Sequence, residues 1–287
     1  MPNPSSRPAV LVTGASRGIG HAVVRTLVAH GFDVFGTVRT AAAAEVLQAG
    51  IGSGVTPVRL DVTDPGSVAA AAAAVRGALG DRGLTGLVNN AGIAPFGPLE
   101  QMPLELFESV FRVNVFGVVA VTQAFLPLVR KSAGRIVNVS SVNGRLAGPS
   151  VGAYSASKFA LEALSDSLRV ELAPWGIRVA VVQPGGFDTS IRAEGMLAWA
   201  AFRDALPPEE RDLYDASFRG MQRFIGGMDS AAPSVQPVAD AVHEALTAAE
   251  PKTRYPVGDD WAQFNGLIAA TDQDRDAVFQ GMLGHGG

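Results

Sequence analysis

The chain has 287 residues, 47% hydrophobic and 17% charged, with a net charge of −4 and no cysteine. Such a composition supplies a large globular core. It excludes disulfides, thiolate catalysis and cysteine-bound metal, and the absence of a lysine–arginine cluster argues against a nucleic-acid partner. The first residues, Met1-Pro2-Asn3-Pro4-Ser5-Ser6-Arg7, show no charged stretch followed by an apolar core, so the expected compartment is the cytoplasm.

From residue 9 onward, apolar runs alternate with helical patterns. Ala9–Thr13 reads as a strand, Ile19–His30 as a helix ending at Gly31, Asp33–Val38 as a strand and Ala41–Ala49 as a helix. Val55–Leu60 is a third strand, and Asp64-Pro65 opens an alanine-rich helix to Leu79, with proline at the first helical position. Leu84–Asn89 is a fourth strand and Phe107–Lys131 a long helix. Its apolar stretch from Val113 to Val129 is interrupted by Asn114, Thr122, Gln123 and Pro127, which suits a buried helix and not a membrane span. Arg135–Ser140, Ala153–Ala173 and Ile177–Gln183 continue as strand, helix and strand. Continuous apolar strands separated by helices call for a parallel sheet covered on both faces. The expected fold is a single-domain, Rossmann-like, doubly wound α/β sheet.

The rhythm breaks after Pro184-Gly185-Gly186. Residues 188–236 are irregular and hold large apolar side chains such as Met196, Trp199, Phe218 and Met221. Two short helices closing over a site would explain them, as would an excursion packed on the body. Val238–Ala249 is again helical, Arg254–Val257 an edge strand, and the extension over 259–287 carries one helix around Asp272–Leu283. Asp272, Asp274 and Asp276 hint at a calcium loop, but Ala277 and Leu283 stand where glycine and an acid are needed. The four histidines are scattered, so no metal site is expected.

Two segments carry the chemistry. Thr13-Gly14-Ala15-Ser16-Arg17-Gly18-Ile19-Gly20 joins the first strand to the first helix. Gly14 permits the sharp turn, Gly18 lets backbone approach a pyrophosphate, and Gly20 lets helix and strand pack closely. The helix N-terminus offers free N–H groups to the anion. The same residues spell Gly-x-Ser-x-Gly, the nucleophile elbow of serine hydrolases, but only a dozen residues precede it and no late histidine is suitably placed. In the second segment, Tyr154-Ser155-Ala156-Ser157-Lys158, phenol and ammonium stand at i and i+4 on one helix face. A nearby ammonium favours the phenolate and lowers its pKa. Ser141 ends a strand, where ligands bind in open α/β sheets.

The second strand has Thr37 where an acid would read the ribose of NAD, followed by Arg39. Arg17 and Arg39 together suit a 2′-phosphate; alternatively both are solvated surface arginines. Asp61-Val62 is placed for the adenine amino group, or serves as a helix-capping segment. NADP is therefore favoured, with NAD possible.

Thr13–Gly20, Asp61, Asn89-Asn90-Ala91-Gly92, Asn114, Ser141, Tyr154-x-x-x-Lys158 and Pro184-Gly185-x-x-x-Thr189 occur in the order and spacing of the short-chain dehydrogenase/reductase family, which the chain resembles up to about residue 190. The resemblance implies Tyr154 as general acid and base. Lys158 would hold the nicotinamide ribose and depress the Tyr154 pKa. Ser141 would orient the substrate oxygen, and Asn114 would hold a relay water. Thr189 would bind the carboxamide, and Asn90, Ala91 and Gly92 would wall the adenosine ribose. Asn143, Pro149, Gly185 and Phe187 complete the expected substrate pocket. None is charged, which favours a neutral, apolar ketone, aldehyde or alcohol. Helices 107–131 and 153–173 suit an interface between copies, giving a homodimer or homotetramer.

Overall fold

The computed structural model describes residues 7–187, 190–229 and 234–283. Seven parallel strands form one sheet in the order β3-β2-β1-β4-β5-β6-β7. They are β1 (Ala9–Val12), β2 (Asp33–Val38), β3 (Val55–Arg59), β4 (Gly86–Asn89), β5 (Arg135–Val139), β6 (Arg178–Pro184) and β7 (Arg254–Val257). Side chains alternate between the two faces. Val10 and Val12 join a core with α1 (Gly18–Ala29), α2 (Ala41–Ile51) and α10 (Gln236–Thr247). Ala9 and Leu11 join the opposite core with α3 (Pro65–Leu79) and α5 (Gly117–Lys131). Both faces are covered, which is why the inner strands read as apolar runs.

Helix starts follow local chemistry. Asp64 caps α3 by accepting from the Gly66 N–H at 2.8 Å, with Pro65 just inside. The expected helix over 107–131 is longer and not uniform. It runs as α4 (Leu104–Phe111), a π-helical turn (Arg112–Phe116) and α5. By length and composition, Leu104–Lys131 could cross a membrane, with a mean hydropathy of 1.5, yet half of that window is buried within the fold. The strand order reverses between β1 and β4, opening a crevice at the C-terminal ends of the strands.

Beyond α6 (Gly152–Glu171) and β6, the expected irregular segment holds three helices: α7 (Ser190–Asp204), α8 (Pro208–Leu213) and α9 (Asp215–Asp229). Large apolar residues of α7 and α9 form a small core of their own, with Trp199 edge-on to Phe218 at 4.9 Å and Met221 and Phe96 around them. The C-terminal extension carries two helices where one was expected, α11 (Trp261–Ala269) and α12 (Asp272–Leu283). The acids of Asp272–Asp276 open α12: Thr271 Oγ accepts from the Asp274 N–H at 3.2 Å and donates to its carboxylate at 2.8 Å. This is helix-start chemistry.

Candidate active site

The phosphate loop is built to leave its donors open. Gly14 and Gly18 take φ of +69° and +55°, a region glycine enters without cost. A Cβ at Gly20 would lie 2.2 Å from the Gly14 carbonyl oxygen, whereas one at Gly18 would meet open space. Arg17 stands at the N-cap of α1, and among the described residues no side chain caps that helix. The first-turn N–H groups therefore remain for an anion. The Thr13 hydroxyl accepts from the Asn90 and Ala91 N–H groups at 2.9 and 3.0 Å. Asn90 Nδ2 returns to the carbonyls of Thr13 and Gly14. This stitching fixes the Asn90–Gly92 turn against the phosphate loop.

A single cavity of about 570 Å³ runs along these residues. Gly14, Ser16, Arg17, Gly18, Ile19 and Gly20 line one end, beside Arg39, Asp61 and Val62. Asn90, Ala91 and Gly92 lie between, and Ser141, Tyr154, Lys158, Pro184 and Gly185 follow. Thr37 Oγ accepts from the Gly14 N–H at 3.2 Å, so its hydroxyl serves the loop. Arg17 is paired with Glu194 of α7 at 2.7 Å. Asp61 accepts from the Thr63 N–H and hydroxyl at 2.9 and 2.7 Å, and these bonds hold its carboxyl below the usual range, helped by Arg39. Asp61 is thus both turn former and wall. Thr189 lies outside the described residues.

At the chemical end, Tyr154 and Lys158 share the first turns of α6. The expected depression of the phenol by its ammonium does not appear. Lys158 Nζ donates to the Val139 carbonyl at 2.8 Å and stands 5.7 Å from the Tyr154 ring centre. Burial pushes the Tyr154 phenol up to about 12, opposed by a hydrogen bond from Ser141. Burial also pushes the Lys158 ammonium down to about 8, opposed by the charge of Glu162. The desolvated charged form is disfavoured in both groups.

Asn114 lies in the π-helical turn, a local rewinding often found at functional sites. Its Oδ1 accepts from the Ile93 N–H at 2.9 Å, and its Nδ2 donates to the Ile93 carbonyl at 2.9 Å and to Ser157 Oγ at 3.0 Å. The side-chain amide is therefore engaged by protein on both sides. It locks the Ile93 backbone to α6. Asn143 is used in the same way: it lines the cavity, but its Nδ2 contacts the Leu146 carbonyl and Ser155 Oγ at 3.3 Å each.

Pro149, Gly185 and Phe187 line the cavity as expected from sequence. Its far wall takes Met221 of α9 from the apolar segment that the sequence offered as a cover for the site, and also Phe264 of α11 and Phe279 and Met282 of α12, which were not foreseen. The extension also braces the loop after β6. Asp260 Oδ2 accepts from the Gly186 N–H at 2.7 Å, and Trp261 Nε1 donates to the Gln183 carbonyl at 2.9 Å. A further polar network hid among ordinary-looking residues: Asn89 Nδ2 donates to Thr122 Oγ and Asn138 Oδ1, and Asn138 Nδ2 to Ser165 Oγ at 2.8 Å, all buried between β4, β5, α5 and α6.

The open helix N-terminus, the glycine cradle and the Tyr–Lys pair fit a nicotinamide dinucleotide. The family model for short chain dehydrogenases matches residues 8–197. This chain belongs to the short-chain dehydrogenase/reductase family. It is accordingly an NAD(P)-dependent oxidoreductase. Among its relatives, retinol dehydrogenase 7 of Rattus norvegicus is 39% identical, over 87% of this chain and 80% of the relative. The 17-beta-hydroxysteroid dehydrogenase type 6 of Bos taurus is 40% identical, over 89% and 81%. A solved short-chain dehydrogenase from Streptomyces avermitilis superposes with a TM-score of 0.75 at 31% identity, covering 98% of each chain. Another, from Burkholderia cenocepacia J2315 in complex with NADP, gives 0.72 at 29% identity, covering 95% of this chain and 97% of its own.

Proposed function

We propose that the protein interconverts an apolar ketone or aldehyde with its alcohol, preferring NADP. The observation that carries this reading is the continuity of the cavity from the phosphate loop, past Tyr154, to a wall of Met221, Phe264, Phe279 and Met282. The nicotinamide, when bound, supplies or accepts the hydride. Tyr154 protonates the carbonyl oxygen in reduction and removes the hydroxyl proton in oxidation. Ser141 donates to the same oxygen. Lys158 holds the nicotinamide ribose from behind Tyr154. Asn114 keeps the Ile93 backbone and α6 in register beneath that site. The apolar far wall excludes water and selects a hydrophobic body, in keeping with the names of the retinol and steroid dehydrogenases among the relatives.

The cofactor preference rests on Arg39 beside Asp61 and on the missing acid at Thr37. The test is oxidation of NADPH and NADH across a panel of neutral aldehydes and ketones, with Arg39→Ala alongside. Loss of a charge-assisted contact to the 2′-phosphate should lower the NADPH-over-NADH ratio about tenfold. A second reading, an NAD-linked steroid- or retinol-type dehydrogenase, is favoured by the pairing of Arg17 with Glu194, which engages one of the two phosphate candidates. Clear NADH preference, unmoved by Arg39→Ala, would establish it. Tight cofactor binding with no turnover on any substrate would leave a cofactor-binding regulator.

We further propose that the protein is a cytoplasmic homo-oligomer joined through α4, α5 and α6. Leu104, Phe159 and Val170 on these helices, and Phe116 in the π-helical turn between α4 and α5, are large, apolar and exposed. Sedimentation of the purified protein should give a dimer or tetramer; a monomer at micromolar concentration would refute the interface.

A further inference from the structure

Glu162 lies four residues after Lys158 and eight after Tyr154, which puts the three on one face of α6. It is 5% exposed, unusual for a carboxylate. Both oxygens are held: Oε1 accepts from Gln183 Nε2 and Oε2 from Arg254 Nε, each at 2.9 Å. Gln183 stands in β6 directly before the Pro184–Gly186 loop, and Arg254 opens β7. There is no spare room, since a Cβ at Gly144 would lie 2.9 Å from Glu162 Cγ and 2.7 Å from Ser140 Oγ. A buried ion pair is a poor source of stability, and an apolar residue of similar volume often serves as well. The carboxylate therefore calls for a reason beyond packing.

The charge balance supplies one. Arg254 also donates to Asp166 Oδ2 at 2.8 Å, so it is shared between two carboxylates. Arg169 pairs with Asp166 at 2.7 Å, farther toward the surface. The contact that Lys158 makes with another element is uncharged, the Val139 carbonyl at 2.8 Å; around it Ser141 lines the same cavity, Asn114 is bound to Ser157 and Gln183 to Glu162. The acids of α4, Glu105 and Glu108, are surface groups, the latter paired with Arg112. Glu162 is thus the charge that acts on the buried lysine.

We propose that Glu162 is a positioning residue of the reaction, a buried carboxylate that supplies the counter-charge behind Lys158 and ties its helix to the strand feeding the cofactor loop. The inference rests on the assignment of Lys158 to the nicotinamide ribose. With the counter-charge present, Lys158 stays an ammonium at neutral pH although it is 5% exposed. Without it, desolvation acts unopposed and the ammonium is lost at lower pH.

The experiment is a fluorescence titration of NADPH and NADH binding between about pH 6 and about pH 10, with melting temperatures taken in parallel. Wild-type affinity should fall as pH rises through the Lys158 pKa of about 8. In Glu162→Gln the fall should begin about one pH unit lower, costing about tenfold in affinity at slightly alkaline pH while leaving the acidic plateau unchanged. Glu162→Asp keeps the charge and should keep the wild-type profile despite a lower melting temperature. Arg254→Gln removes the positive partner and should move the fall to higher pH, a test that stands even where Glu162→Gln does not fold. A uniform loss of affinity at all pH values, or profiles that do not move, would reduce Glu162 to packing and overturn the proposal. A wild-type affinity independent of pH would remove Lys158 from the ribose, and the inference would fail with that assignment.

Discussion

Tyr154→Phe should lower kcat/KM for carbonyl reduction by about 100- to 10,000-fold, the range a positioned proton donor contributes, while leaving cofactor affinity and melting temperature little changed. The geometry explains why the effect falls on turnover. The phenol faces the cavity beside Ser141, and its hydroxyl is not among the contacts that stitch the phosphate loop to the Asn90 turn. Burial pushes Tyr154 up to about 12, so in the free protein the acid form is present throughout the neutral range. At saturating cofactor, reduction needs that form and its rate should stay level with pH until the phenol ionises. Oxidation needs the phenolate and should rise as pH rises toward the Tyr154 pKa. Steady-state rates in both directions across pH check this. Residual reduction within about tenfold of wild type would transfer the proton step to another group, with Ser141 the nearest hydroxyl.

The sheet was legible because its inner parallel strands are buried on both faces, so Val10–Val12, Val34–Val38 and Val179–Val182 show as apolar runs between helical patterns. Glycines and the Tyr–Lys pair were legible for a different reason: a turn with positive φ, or a shared helix face, leaves a fixed spacing. What escaped has no local signature. The π-helical turn at Arg112–Phe116 keeps nearly the same side-chain pattern as the α-helix around it, so only the coordinates show that Asn114 is aimed at Ile93 and Ser157. Helices α7 and α9 bury apolar residues against each other and against Phe96 and Met282, across elements distant in sequence, so 190–229 read as irregular. Asn138, Thr122 and Ser165 each look like ordinary strand or helix residues until the fold brings them to Asn89. The sign of the Tyr154 shift was misread from spacing because i,i+4 fixes a face and not a distance. The ammonium found the Val139 carbonyl, and desolvation outweighed everything else.

Gly20→Ala should abolish measurable cofactor binding, and the two neighbouring glycines show why this position is the most sensitive. At Gly18 the limit is conformational. Its φ is +55°, but a side chain there meets nothing, so alanine costs about 1–2 kcal/mol of backbone strain and leaves the loop free to adjust. At Gly20 the limit is space. A Cβ would stand 2.2 Å from the Gly14 carbonyl oxygen and 2.5 Å from Asn90 Nδ2. Both are backbone-anchored parts of the site: the Gly14 oxygen accepts from Asn90 Nδ2, and Asn90 is tied to Thr13. Neither can withdraw without moving the phosphate loop off the end of α1. A displacement of about 1 Å in a site whose donors are backbone N–H groups costs on the order of 100-fold in function, and overpacking adds about 1–3 kcal/mol of instability. Titration of NADPH fluorescence should therefore show a drop of at least about 100-fold for Gly20→Ala and a much smaller one for Gly18→Ala. Equal, mild losses at both positions would mean that the dinucleotide does not rest on the N-terminus of α1.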